Sequence, residues 1–223
     1  APNSLAHRTT WLRSDLVESF VYKNKVHVLA IMEKLMTMNA EYRVELGHSA
    51  PADIEEKLKE KIETEVTKII NTLELNYGPV NMDIIVNEKG NPYIIDIGAR
   101  MGGNAINTHI IPNYIGVDHV KNTIKLAMGD DSVDLEPKFH HFVATRQLDL
   151  KPGKIAQLPD FSRLYDDNVV DICFEKKVGD IIEPYTCNAD RSGFIVVTGK
   201  NINDAKQRAL ELRDKIDKLI KRE

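Results

Sequence analysis

The stretch that most restricts the fold is GPVNMDIIVNEKGNPYIIDIGARMGGN, residues 78–104. Val80–Val86 and Tyr93–Ile97 are apolar and rich in β-branched side chains, and the breaker-rich run Asn87–Pro92 lies between them. That pattern predicts two antiparallel strands joined by a short turn. An aspartate interrupts each apolar run: Asp83 in the first, Asp96 in the second. Antiparallel pairing can set the two carboxylates at neighbouring positions on one sheet face. At about 4 Å such a pair repels by ~4 kcal/mol at an effective dielectric of about 20. A divalent cation between them removes that cost. Hard oxygen ligands suit Mg²⁺ or Mn²⁺, with coordination positions left open for phosphate oxygens.

Arg100 follows Asp96 by four residues, within a turn that holds Gly98, Gly102 and Gly103. Its guanidinium can grip a phosphate or carboxylate through two parallel hydrogen bonds. Gly102 and Gly103 allow close backbone approach, and a helix beginning at Asn104 would add its N–H groups to the same anion site. The competing reading is structural: Asp96 caps a strand end and pairs with Arg100, and the glycines only shape a turn.

The remainder of the chain is expected to be mixed α+β. LVESFVYKNKVHVLAIME reads as a hairpin turning at Lys23-Asn24-Lys25, with β-structure beginning at Val17. Ile54, Leu58, Ile62, Val66, Ile69 and Leu73 share one face of a helix over 53–73, with Asp53 as its N-cap. Asp118 is placed to cap a helix that ends at Gly129. DDSVDLEPK, residues 130–138, reads as an acidic linker. Beyond it, strands are expected over His140–Leu148, Val169–Phe174 and Phe194–Thr198. An amphipathic helix then runs from Asn203, with Ala205, Leu212, Ile216 and Leu219 on its apolar side. The division is therefore 1–16 unpatterned, 17–129 the first unit, 130–138 a linker, and 139–223 a small β-rich unit closed by a helix.

Composition narrows the function classes. The formal net charge of −4 gives no overall basic excess for nucleic acid, and no basic amphipathic helix suggests a membrane surface. No apolar run approaches a bilayer span. Cys173 and Cys187 are the only cysteines and stand in no ligand spacing, so they are expected to be plain thiols in a reducing, cytoplasmic setting. His109 and His119 are expected at the surface or in packing, and His140-His141 lacks partners at metal-ligand spacing.

Residues 78–106, with YIGVDHVKNTIKLAMGD after them, resemble the C-terminal part of an ATP-grasp catalytic domain. That superfamily includes biotin carboxylase, the carbamoyl-phosphate synthetase large subunit and the ATP-dependent L-amino-acid ligases. The resemblance implies that Asp83 and Asp96 fall on the acidic positions that bind the metals of Mg-ATP. It implies that Arg100 is the catalytic arginine that neutralises the transferred phosphate or the substrate carboxylate. Glu45, Gly47, His48 and Pro51 resemble the E-x-G-H-x-x-P stretch of amino-acid-ligase-like members, within a hairpin and substrate loop over about 17–50. Glu45 and His48, with Gly102, Gly103 and Asn104, are then expected at the ATP and substrate site. Glu18 matches an acidic position near the family's nucleotide site.

The segment from 139 onward is similar to the small C-terminal domain of those ligases. The implied parent is an ATP-dependent carboxylate–amine ligase that takes a small-molecule carboxylate and a nucleophile, with ATP and Mg²⁺ (or Mn²⁺) as cofactors, and it is compatible with a homodimer. Two departures stand out: Asp96 replaces the usual glutamate, and Gly98 stands where many members carry a metal-binding asparagine. The chain opens on Ala1 without the family's nucleotide-binding N-terminal half, so it is expected to be a fragment, inactive alone. The alternative from another class is an interaction or regulatory module that keeps the subdomain but not nucleotide binding.

Overall fold

The computed structural model describes residues 11–37 and 43–223. Residues 1–10 of the expected unpatterned segment, and 38–42 of the expected substrate loop, lie outside that range. Strand β1 (Trp11–Tyr22) and strand β2 (Lys25–Met36) form the expected hairpin. Lys23 and Asn24 both take positive φ, 51° and 58°. Two such residues make a turn whose twist matches that of the strands it joins. The strand starts at Trp11 rather than Val17, because Arg13, Asp15 and Leu16 already pair with β4 (Gly78–Asn87).

After β3 (Glu45–Ala50), helix α1 spans Glu56–Thr72, three residues shorter at its start than expected. Asp53 is not its cap; Glu55 holds that position without a side-chain hydrogen bond. Ile62, Val66 and Ile70 are the buried face, so the stripe follows an i+4 row and leaves Leu73 exposed. The β4 strand turns through Asn87, whose Oδ1 accepts from the N–H groups of Lys89 and Asn91, into β5 (Pro92–Gly98). A single π turn (Ile106–Ile110), α2 (Ile111–Ile115) and α3 (His119–Ala127) follow, the last capped by Asp118 as expected.

The C-terminal unit holds β6 (Phe142–Gln147), β7 (Gly153–Gln157), β8 (Val169–Phe174), β9 (Ile181–Ile182), β10 (Gly193–Gly199), α4 (Ile202–Leu219) and β11 (Lys221–Arg222). The α4 helix buries Ile202, Ala205, Ala209, Leu212 and Ile216, while Leu219 is exposed.

One antiparallel sheet of eight strands, in the order β5-β4-β1-β2-β3-β6-β10-β8, runs through both units. The join is short: Ser49 pairs with Ala144 and Ala50 with Val143. Gly47 allows it, since a Cβ there, at φ +146°, would sit 2.1 Å from the carbonyl oxygen of Thr145. Three apolar cores cover the sheet. Val17, Val21, Val80, Met82 and Ile84 pack against α1. Leu16, Phe20, Ala30, Met32 and Ala50 pack on the other face against Ile106, Ile110, Ile111 and Ile115. Ala144, Leu148, Ile195 and Val197 pack against α4. The core of the C-terminal unit shares no residue with the other two.

Candidate active site

Met82 and Ile84 face α1, so Asn81 and Asp83 point to the opposite side of the sheet. On β1, Glu18 pairs with Asn81 and Leu16 with Asp83; on β5, Gly98 pairs with Asn81 and Asp96 with Asp83. Directly opposed residues of an antiparallel pair share a face. Asp83 and Asp96 therefore lie side by side as the sequence predicts, with a bulge immediately after Asp83. The Asp96 carboxylate is exposed and, among the described residues, engages no hydrogen-bond or ion-pair partner.

Two polar networks grow from this face. The first is buried and centres on Glu18, whose relative exposure is 0%. Its Oε2 accepts from Asn81 Nδ2 at 2.8 Å and its Oε1 from the Gly102 N–H at 3.1 Å. Burial pushes its carboxyl up to about 7, against the hydrogen bonds from Asn81 and Gly102 that favour the anion. Asn81 Oδ1 in turn accepts from Arg100 Nη1 at 3.2 Å, and Asn107 Nδ2 donates to the Gly102 carbonyl. A Cβ at Gly102 would meet Asn81 Nδ2 and Glu18 Oε2 at 2.8 Å each, so the turn needs glycine in order to sit on this carboxylate. Glu18 is consequently no ligand-touching residue, contrary to the expectation from its sequence position. It lies underneath the turn that carries Arg100. His119 lies 3.8 Å from Glu18 Oε1, fully buried, and burial lowers its imidazole to about 4. An imidazole that is neutral above that value makes this contact no ion pair at neutral pH.

The second network is shallower. Lys34 Nζ reaches both carboxylate oxygens of Asp83 at 3.0 Å and Glu45 Oε2 at 3.8 Å. Glu45 Oε1 accepts from Asn104 Nδ2, and Asn104 Oδ1 accepts from Arg191 Nη1 at 3.1 Å. Arg191 also pairs with Glu175, and Tyr185 donates to the Glu45 carbonyl, so the C-terminal unit reaches into this site. Burial raises the Glu45 carboxyl, opposed chiefly by the Lys34 charge. His48, expected to meet ATP or substrate, has a fully buried ring with Nε2 3.5 Å from Glu45 Oε2. Burial drops its imidazole to about 3, so it stands as a neutral support behind Glu45.

Arg100 is exposed. Its guanidinium donates to Asn81 and to the Met101 carbonyl, and among the described residues no carboxylate pairs with it. The structural Asp96–Arg100 ion pair is therefore not formed. A side chain at Gly98 would collide with the Arg100 stem, with Cγ at 3.0 Å and Nε at 3.1 Å, so the missing asparagine leaves room for the arginine to lie back against the sheet. Gly103 is exposed, with open space where a Cβ would stand. No helix begins at Asn104: it and Ala105 take positive φ, the π turn starts at Ile106, and the Ile106 N–H already donates to the Gly103 carbonyl. The turn accordingly lacks the helix amides expected of an anion site.

Among the described residues no three His, Cys, Asp or Glu side chains gather to hold a metal by themselves. Asp83 and Asp96 nonetheless fit Mg²⁺, which is bound through one or two carboxylates plus phosphate oxygens and keeps the rest of its shell as water. Lys34 and Asn81 are the residues that sequence reasoning missed. Lys34 sits in the strand phase of the core residues Ala30 and Met32, where a charge is out of pattern, whereas Asn81 shares the polar phase of Asp83.

Residues 15–104 match the family model of the ATP-grasp domain, and residues 146–219 match that of L-amino acid ligase C-terminal domain 2. The two matched stretches fall on either side of 130–138. Among solved structures the chain is similar to phosphoribosylglycinamide synthetase from Anaerococcus prevotii, with 26% identity and a TM-score of 0.79 over 95% of this chain and 53% of that one. It is similar to L-amino acid ligase from Bacillus licheniformis, with 22% identity and a TM-score of 0.77 over 91% of this chain and 52% of that one. It is also similar to N5-carboxyaminoimidazole ribonucleotide synthetase from Thermotoga maritima, with 17% identity and a TM-score of 0.66 over 96% and 53% of the two chains. No curated protein matches the chain. The chain spans about half the length of these solved proteins.

Proposed function

We propose that this chain, a member of the ATP-grasp superfamily by its fold and its matched domains, belongs to an ATP-dependent carboxylate–amine ligase of the amino-acid-ligase type. The observation that supports this most directly is Arg100, a guanidinium free of any carboxylate partner among the described residues, in the turn after β5 and hydrogen-bonded to Asn81 on the sheet face that carries the paired Asp83 and Asp96. Such an arrangement suits a multiply charged anion bound with a divalent cation. The match over 146–219 favours an L-amino acid as the carboxylate.

In the proposed reaction a substrate carboxylate oxygen attacks the γ-phosphorus of ATP, and ADP departs. The amine nitrogen then attacks the acyl carbon, phosphate leaves, and the amine gives up a proton. Phosphoryl transfer asks the protein mainly for position and charge. Asp83 and Asp96 would hold Mg²⁺, which supplies charge neutralisation between the phosphates when bound. Arg100 would hold the phosphoryl or carboxylate oxygens as charge develops on them, its direction fixed by Asn81 and the Met101 carbonyl. Glu45 stands at the mouth beside Asn104 and the C-terminal unit's Arg191, where amine or carboxylate groups of the substrate would meet them.

The test is Mg²⁺-dependent ADP release by the full-length protein across a panel of L-amino acids, other carboxylates and amines, repeated on Arg100→Lys. Lysine keeps the charge and loses the planar fork, so a rate loss of about 10²-fold or more is expected with the melting temperature unchanged. ADP release from none of the panel would favour the non-catalytic module. A melting drop that accounts for the lost rate would make Arg100 structural.

A further inference from the structure

Lys34 is the cation that the proposed chemistry leaves without a task. Only 13% of its side chain is exposed, and its ammonium sits between two acids, 3.0 Å from both oxygens of Asp83 and 3.8 Å from Glu45. Among the described residues no other Lys or Arg pairs with either acid. Asp96, directly across from Asp83, has no cation partner among those residues. Two carboxylates thus share one ammonium, a third stands across the strand pair from Asp83, and the Asp83 charge itself acts to raise the Glu45 carboxyl.

Lys34 and a divalent ion would compete for Asp83, since the ammonium already contacts both of its oxygens. Mg²⁺ takes carboxylate oxygens at about 2.1 Å, on the oxygens the ammonium already occupies. Two cations sharing one carboxylate repel each other, and the Lys34 ammonium, only 13% exposed, is little screened by water. Glu45 is the ready alternative acceptor, and it is held still: Tyr185 donates to its carbonyl at 2.7 Å and Asn104 to its carboxylate.

We infer that Lys34 is an exchangeable counter-ion, which neutralises Asp83 while the metal is absent and passes to Glu45 when a divalent cation arrives. Lys34 then sets how readily the site accepts metal, and metal binding moves a charge onto the acid that touches Asn104 and, through it, Arg191. This rests on the reading of Asp83 as a metal ligand, and the experiment separates the two.

Mn²⁺ alone, without nucleotide, is titrated into the intact protein and its free concentration followed by electron paramagnetic resonance. The proteins compared are wild type, Lys34→Met, Lys34→Gln, Asp83→Asn and the Lys34→Met/Asp83→Asn pair. Folding of each is checked by circular dichroism, and Lys34→Gln carries the comparison if the methionine variant does not fold. The expected result is Mn²⁺ binding at least about tenfold tighter in the Lys34 variants, lost again in the double variant. Binding in the Lys34 variants that equals, falls below or is as undetectable as that of wild type overturns the exchange. Tightening that survives Asp83→Asn overturns it together with the metal role of Asp83, whereas unchanged Lys34 variants beside a loss in Asp83→Asn overturn the exchange alone.

Discussion

Glu18 and Asp83 are neighbours on one sheet face, yet they are opposite kinds of acid. Glu18 is fully buried, and both of its oxygens accept hydrogen bonds from groups that shape the Arg100 turn. Asp83 is partly open, its cation is a lysine from two strands away, and its neighbour Asp96 is bare to solvent. The difference is one of satisfaction. The Glu18 side contributes to the fold because its donors and acceptors close on one another. The Asp83 side holds more negative charge than its cation neutralises, a surplus that favours an incoming cation. A site of this kind therefore separates a rigid support from a charged mouth within a few residues.

The largest effect should come from breaking the support. Glu18→Ala strands the Asn81 amide and the Gly102 N–H in the interior and leaves a cavity, a loss of about 4 kcal/mol in chemical denaturation. A loss below about 1 kcal/mol would show that the turn stands without the carboxylate.

A second contrast is sharpened by pH. The folded state holds the Glu18 proton up to about 7, from an ordinary 4.5. Its contribution to stability is therefore fully present below about pH 4.5 and is lost as the pH rises to about 7, a span worth roughly 3 kcal/mol. His119 and His48 act the other way. Burial lowers them from 6.5 to about 4 and about 3, so their contributions are present above about pH 6.5 and are lost as the pH falls. In Glu18→Gln the opposing slope is gone, so stability should fall more steeply on acidification from pH 7 to 4.5 than in the parent. Urea denaturation at stepped pH measures it, and parallel curves would mean that Glu18 ionises as it does in water.

The smallest effect belongs to the mouth. Asp96→Asn should change folding stability by no more than about 0.5 kcal/mol, because the carboxylate is exposed and unpartnered among the described residues. Mn²⁺ affinity should nevertheless drop. Unfolding of this variant would return Asp96 to a structural role.

The strand pairing at the mouth is legible in the sequence, for reasons that can be named. Apolar alternation and the Asn87–Pro92 turn fix the register that sets Asp83 beside Asp96. Lys23-Asn24-Lys25 marks the first hairpin as a polar break between two β-rich runs, with Asn24 a residue that tolerates positive φ. The site's supports are hidden. Glu18 looks like a surface acid in a strand until Asn81 and Gly102 are seen to close over it. Arg191 reaches Asn104 from 87 positions away, a contact that no local pattern encodes. The expected helix start at Asn104 fails because GGN only resembles a cap, whereas two consecutive positive-φ residues turn the chain before a π turn. Lys34 does leave a trace in the alternation, as a charge in the phase of Met32 and Ala30, which are core residues.

The seam between β3 and β6 bears on how such proteins can be recombined. A chimera joined within 130–138 would look like a clean exchange of C-terminal units, yet the sheet crosses from one unit to the other only through Ser49–Ala144 and Ala50–Val143 among the described residues. Each parent would supply one edge of that seam. The exchange can succeed only where the recipient keeps glycine at position 47, because a Cβ there would meet the backbone carbonyl at position 145 whichever donor supplies it. The heritable module is therefore the C-terminal unit together with its docking strand, a piece that is contiguous in space and split in the gene.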